Sequence, residues 1–281
     1  MTAKSVSRFA PSPTGRLHLG HAYSAVRAHD LAQASGGRFL LRIEDIDQTR
    51  ARPEHVDGIF EDLRWLGLDW DGDVLFQSQR QAAYEAALQT LIKGGFAYRC
   101  WCTRADIAAA MEAPQDGGPP IYPGTCKGRS DPDDARPYSW RLDVAAACAA
   151  AGPLHWSDAT AGRVLAAPES LGDVVIARKD AMAAYHLAVV VDDAWQGVTD
   201  VVRGRDLFES THIHRLIQHL LGYAPPLYHH HALICDAEGT RLAKRKNAPT
   251  LQALREAGTD PAALLQQLRL DDLPDGFSFC A

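Results

Sequence analysis

The chain has 281 residues, 46% hydrophobic and 23% charged, with a formal net charge of −6. This length predicts about two domains around a sizeable core, and the composition is that of an ordinary globular protein. No apolar run is long enough to span a bilayer and MTAKSVSRFA lacks a signal-peptide core, so a cytoplasmic chain without a membrane partner is expected. The acidic balance argues against a surface coated for nucleic acid, while leaving room for a local basic groove.

Val6 to Ala10 is a short apolar run that reads as a strand. It enters Pro11-Ser-Pro-Thr-Gly15 and then His18-Leu-Gly-His21, which opens a long helical pattern through Ala22, Val26 and Leu31. Ser35-Gly36-Gly37 ends that helix. Histidines three apart at a helix start share one face, beside unpaired backbone N–H groups and the positive end of the helix dipole. Such a place suits a phosphate. Gly20 leaves room for a flat ring or a backbone to come close. Phe39 to Ile43 is a second buried strand. Strand, helix and strand together predict a βαβ unit, with ligands at the carboxyl ends of a parallel sheet.

The second strand runs into Glu44-Asp45-Ile46-Asp47. Glu44, nearest the strand end, suits an ammonium group or a ribose, with helix capping as the plain alternative. Asp47 reads as capping for the helix that Pro53 opens and that carries Ile59, Leu63 and Leu66. Gln79 to Lys93 is a further amphipathic helix, closed by Gly94-Gly95. Cys100-Trp-Cys102 follows, and a Gly/Pro-rich segment then brings Tyr122 and Cys126. Three thiolates and a phenol are one set that can complete a tetrahedral zinc site, and three free cysteines in a loop are the alternative. Cys148, Cys235 and Cys280 are scattered and read as ordinary small side chains.

Strands are expected at Tyr138 to Leu142, at Val174 to Ala177, and over the apolar run Tyr185 to Val191 that Asp192-Asp193 ends. Val144 to Ala151 reads as a short helix or linker. Val198 to Val202 is another strand, delivering Arg203 either as a ligand-binding group or as a solvated turn residue. Ser210 reads as the cap of a helix with Ile213, Leu216, Ile217, Leu220 and Leu221 on its apolar face. The three histidines His229 to His231 lie in a strand, point alternately to opposite faces, and make an unconvincing metal site. Arg241 to Lys246 is the most basic stretch, either a solvated loop or one whose Lys244 reaches a polyphosphate.

HxGH near the start and a lysine-bearing loop near the end resemble the two signature motifs of class I aminoacyl-tRNA synthetases. The wider set RFAPSPTGRLHLGH, LRIEDID, YRCWCT, YHLAVVVDDAWQGVTDVVRGRDL and GTRLAKR is similar, in the same order, to the catalytic domain of the glutamyl branch. A chain that stops at residue 281, with no helical anticodon-binding region after the loop, resembles the truncated paralogues that attach glutamate to queuosine in tRNA(Asp). The loop departs from the family's KMSKS at Arg241, Ala243 and Arg245 and keeps Lys244.

The resemblance implies an α/β fold: a Rossmann-like parallel-sheet catalytic domain with a zinc-bearing insertion and a short C-terminal helical segment. The expected divisions are 1–98, 99–136, 137–249 and 250–281. Arg8, Ala10, Pro11, Ser12, Glu44, Tyr185 and Arg203 would form the glutamate pocket. His18, Gly20, His21 and Lys244 would hold ATP with its Mg²⁺, and His18, His21 and Lys244 would be catalytic. Cys100, Cys102, Tyr122 and Cys126 would bind structural Zn²⁺. The implied partners are L-glutamate, ATP and tRNA(Asp) carrying queuosine, with the protein acting as a monomer. Charging of a tRNA 3′ end, a non-catalytic RNA-binding paralogue and a nucleotidylyltransferase are the competing expectations.

Overall fold

A computed structural model describes residues 4–103, 105–107, 121–129, 135–181, 183–242 and 249–280. Strand β1 (Val6–Phe9), helix α1 (Leu19–Ser35) and strand β2 (Arg38–Ile43) form the expected βαβ unit, with β1 parallel to β2 and Arg8 opposite Leu40. Two glycines make the return possible. Gly36 closes α1 at φ 62°, and a Cβ on Gly37 would stand 1.8 Å from the Ser5 carbonyl oxygen. Helix α2 (Pro53–Trp65) follows, β3 (Leu75–Phe76) adds parallel to β2, and α3 (Gln81–Lys93) leads away from the sheet.

The middle of the chain builds an antiparallel sheet from β4 (Ala97–Cys100), β5 (Ser139–Leu142) and a later strand, β8. Between β5 and β8 (Val175–Ala177) come α4 (Val144–Ala151), β6 (His155–Asp158) and β7 (Gly162–Leu165). Helix α5 (Tyr185–Gln196) then precedes β9 (Asp200–Gly204), α6 (Ser210–Leu220) and β10 (Leu227–His231). The chain closes with β11 (Ile234–Asp236), α7 (Leu251–Glu256), α8 (Pro261–Arg269) and β12 (Phe277–Phe279).

Strands β9, β10 and β6 are parallel, and β7 pairs antiparallel at the outer edge. The two parallel halves meet where β9 lies beside β1. There the Thr199 N–H donates to the Val6 carbonyl (3.0 Å), Arg8 donates to the Val202 carbonyl (3.4 Å), and α1 packs over both strands. The order β3-β2-β1 followed by β9-β10-β6-β7 puts the reversal of sheet growth between β1 and β9. An open parallel sheet binds its ligands at such a switch point. One core packs α1, α2, α7 and α8 against β1 and β2, and a second joins α3, α4, α5 and α6.

Four expectations need correction. Tyr185 to Val191 is not a strand but the first part of α5. Leu187 to Asp193 are all buried, so neither a helical nor an alternating period is visible, and Gly197 at φ 68° ends the segment as a helix cap. Ser210 begins α6 without capping it, since the N-cap position belongs to Glu209. Asp47 does not cap α2. It accepts from the Thr49 hydroxyl (2.6 Å) and from Arg178 (3.1 Å), which hold its carboxyl below the usual range, and α2 starts at Pro53 with no side-chain cap.

Cys235 and Cys280, finally, are not separate small side chains but a disulfide joining β11 to the chain just after β12. The antiparallel register brings them together, and their separation of 45 residues carries no sequence signal. Val144 to Ala151 is a helix, with the Asp143 carboxylate accepting from the Ala146 N–H. No helix among the described residues is long and apolar enough to cross a membrane.

Candidate active site and cysteine cluster

A cavity of about 500 Å³ opens between the carboxyl ends of β1 and β9. One side carries His18, Gly20 and His21 at the start of α1. Its other side gathers Arg8, Glu44, Tyr185 and Arg203, with Ala10, Pro11 and Ser12 along the rim. Every described residue expected at the ligand site therefore faces one cavity. Lys244 lies outside the described residues, as do its basic neighbours Arg245 and Lys246. Arg241 and Leu242, which lead to that loop, line the cavity. Arg241 pairs with Asp206 (2.5 Å), and the Leu242 N–H donates to the Ile234 carbonyl (3.0 Å).

The two histidines organise the helix start. His18 is the N-cap residue: its Nδ1 accepts from the Gly20 N–H (3.1 Å), while His21 Nδ1 accepts from the His18 N–H (3.1 Å). The ring centroids stand 3.7 Å apart. With each Nδ1 used as an acceptor, each neutral ring carries its proton on Nε2. A Cβ on Gly20 would meet the His18 ring at 3.1 Å. That glycine therefore leaves room for the His18 ring, and it also lines the cavity.

Glu44 and the two nearest arginines belong to a buried ionic network. Arg8 Nε donates to Asp193 Oδ1 (2.9 Å) and Nη2 to Oδ2 (3.3 Å), while Arg42 Nη1 donates to the same Oδ1 (2.7 Å). Arg42 also reaches Glu44 (3.5 Å). Burial pushes the Asp193 carboxyl up, but Arg8 and Arg42 outweigh it and leave the group below the usual carboxylate range. Burial raises Glu44, with Arg42 and Arg8 opposing. Asp192 accepts from the Tyr84 hydroxyl (2.7 Å), Gln77 (2.9 Å) and Arg80 (3.2 Å).

Arg8 is therefore already paired with a carboxylate, and Arg203 meets none among the described residues. Arg203 Nε donates to His230 Nε2 (3.1 Å), Nη1 contacts His214 Nδ1 (3.2 Å) and the Tyr185 hydroxyl (3.4 Å), and Nη2 donates to Thr211 Oγ1 (2.6 Å). The sequence reading missed Asp193, Asp192, His214 and His230. The acids only closed a run read as a strand, His230 was weighed as one of three consecutive histidines and set aside as a metal ligand, and His214 carried no recognisable spacing.

These buried imidazoles make stability depend on pH. Burial and then Arg203 push both His186 and His230 down to about 4. A histidine titrates near 6.5 when unfolded, so between about pH 6.5 and 4 the unfolded chain binds more protons. The contribution is complete above pH 6.5 and is lost on acidification towards 4. His230 alone is expected to remove about 2 kcal/mol between pH 7 and pH 5. Urea unfolding at the two pH values checks this, and His186→Gln should shrink the total loss.

Away from the cleft, the Sγ atoms of Cys100, Cys102 and Cys126 all lie within 4.8 Å of one another. The Tyr122 hydroxyl stands 3.3 Å from Cys100 Sγ and 3.5 Å from Cys102 Sγ, and it accepts from the Cys126 N–H (3.0 Å). Arg141 donates to Cys100 Sγ (3.3 Å) and lies over the Tyr122 ring. Three converging thiols with a phenol among them can hold a metal ion.

A parallel sheet open at its switch point, with paired histidines at the first helix and a buried acid–arginine network opposite, defines a class I synthetase catalytic domain. Residues 4–275 match the family of class I tRNA synthetases (E and Q), catalytic domain, and the chain belongs to it. The glutamyl-Q tRNA(Asp) synthetase of Rhodobacter capsulatus is 50% identical over 280 residues, covering 94% of this chain and 100% of that protein. Within the family the chain thus falls among the glutamyl-Q tRNA(Asp) synthetases. A glutamate–tRNA ligase of Geobacter sulfurreducens is 40% identical, but the match covers 93% of this chain and only 55% of that protein. The crystal structure of glutamate-tRNA synthetase from Elizabethkingia anophelis superposes with a TM-score of 0.79 at 27% identity, covering 95% of this chain and 61% of that one.

Proposed function

We propose that the chain joins glutamate to ATP as glutamyl-adenylate and transfers the glutamyl group to queuosine in the anticodon of tRNA(Asp). The observation that carries the activation step is one cavity holding the His18–His21 pair, Glu44, and a buried arginine that meets no carboxylate among the described residues. An oxygen of the α-carboxylate attacks the α-phosphorus, the bond to the β-phosphate breaks, and pyrophosphate leaves. The Nε2–H groups of His18 and His21 meet charge developing on the phosphate. Glu44 takes the ammonium group, Tyr185 and Arg203 take the side-chain carboxylate, and Ala10, Pro11 and Ser12 form the rim. A hydroxyl of the modified base then attacks the acyl carbon and AMP leaves, so no side chain is acylated. The full-length match to a glutamyl-Q tRNA(Asp) synthetase supports queuosine as the acceptor.

Lys244 is assigned to the leaving pyrophosphate on the motif alone. Mg²⁺ arrives with the nucleotide. The carboxylates among the described lining residues, Glu44 and Asp206, already face Arg42 and Arg241, so the protein offers that ion no dedicated ligand there. The same reading keeps the division 1–98, 99–136, 137–249 and 250–281, and a cytoplasmic monomer.

Cys100, Cys102, Tyr122 and Cys126 fit zinc by their donor set and convergence. Bound there, the ion would cross-link two distant stretches of chain, a structural task. Purified protein is expected to carry stoichiometric zinc by mass spectrometry. Cys126→Ser should release it and lower the melting temperature, and a metal-free wild type would remove the assignment.

Glutamate-dependent ATP–pyrophosphate exchange, followed by transfer to tRNA(Asp) with and without queuosine, tests the whole reading. Transfer only to the modified tRNA is expected. Esterification of a tRNA 3′ end would overturn the acceptor, and absence of exchange with or without tRNA would overturn the activity.

A further inference from the structure

Arg203 is 6% exposed, and its described acceptors are two imidazoles, two hydroxyls and the Leu207 carbonyl. None is a carboxylate. Around it Arg8, Arg42 and Arg80 are paired with Glu44, Asp192 and Asp193, and the buried Asp158 and Asp200 face His230 and His229. Of these arginines, Arg203 is the one that touches no carboxylate among the described residues. The nearest acid bonded to its surroundings is one imidazole removed: Asp158 lies 2.8 Å from His230 Nδ1.

The imidazole chains fix their own tautomers. His230 accepts from Arg203 on Nε2, so its proton is on Nδ1, directed at Asp158. His214 Nδ1 faces Arg203, so its proton is on Nε2, directed at His186 Nδ1 (3.2 Å). Burial and then Arg203 hold His214 well below an ordinary histidine, which keeps its lone pair available. Neutral acceptors of this kind aim a guanidinium without cancelling its charge.

We propose that His214 and His230 are positioning residues that set the side-chain selectivity of the site: they orient Arg203 through uncharged lone pairs and reserve its charge for a substrate carboxylate, so that glutamate is accepted and glutamine refused. A carboxylate ligand gives Arg203 a contacting counter-charge, whereas a carboxamide leaves that buried guanidinium without one. The inference rests on the proposed glutamate activation and deepens it.

The test compares wild type, His214→Asn and His214→Asp in exchange assays with glutamate and with glutamine. Asparagine keeps a neutral acceptor, and aspartate brings a competing carboxylate to Arg203. His214→Asn should hold glutamate kcat/KM within about tenfold and still refuse glutamine. His214→Asp should raise the glutamate KM by roughly 100-fold with kcat little changed, and move the two substrates' kcat/KM values towards each other. If His214→Asp does not fold, Thr211→Asp places a carboxylate at Nη2 and is read in the same way.

Equal losses in the asparagine and aspartate variants, or unchanged selectivity in the aspartate variant, would overturn the inference. Calorimetric binding of glutamate and glutamine without ATP separates it from the reaction. Selective binding without exchange would remove the reaction and keep the inference. Exchange with unaltered selectivity in the aspartate variants would do the reverse.

Discussion

Replacing Asp193 with asparagine is expected to cost about 3–5 kcal/mol of stability and to abolish glutamate activation. One carboxylate serves two guanidiniums, Arg8 at 2.9 Å and Arg42 at 2.7 Å, and the Arg42 side chain has no exposed surface. Asparagine keeps the shape but loses the charge, and its amide nitrogen turns a donor towards groups that only donate. Two buried cations are then left against the remaining acids, and the strand end bearing Arg8 loses its tie to α5. Urea unfolding and pyrophosphate exchange read the two effects separately. A loss below about 1 kcal/mol would mean that Gln196 and Glu44, which already touch Arg42 (2.9 and 3.5 Å), take over the pairing. Replacing Arg42 and Asp193 together with leucine should recover only part of the loss, because it removes opposite charges together yet leaves Arg8 without its carboxylate and Glu44 without Arg42.

His18→Ser should separate the two tasks of the first histidine. As N-cap, His18 accepts from the Gly20 N–H, a task that serine performs as well or better. Serine is too short to present an N–H or O–H where Nε2 now lies. The melting temperature should therefore stay close to wild type, while kcat for activation falls by roughly 10²–10³-fold and the glutamate KM changes little. That split is expected because the proposed reading gives the amino acid to Arg203 and Glu44, not to His18. A fall in melting temperature with activity retained would make His18 a cap and nothing more.

Much of the site was readable before the fold. The HxGH stretch put two histidines at a helix start, and the return strand put Glu44 at its carboxyl end, because both signals are local. Cys100-Trp-Cys102 with Tyr122 and Cys126 was readable for a different reason, since few residue sets of that chemistry occur together. The run from Tyr185 misled because a helix buried on all sides hides its period, and the three valines within it favour strands when considered alone. His214 was invisible: a lone histidine on an amphipathic helix looks like any other core residue.

The amino-acid order by itself determined the βαβ start, the capping histidines, the glycine return at Gly36-Gly37 and the family resemblance, since each depends on neighbours along the chain. Only the tertiary structure decided that Arg8 is already held by Asp193 while the described partners of Arg203 are neutral, and that Cys235 finds Cys280. Those outcomes depend on groups far apart in sequence, 185 residues for Arg8 and Asp193. Charge compensation in a buried site is set by which of them the packing brings within reach.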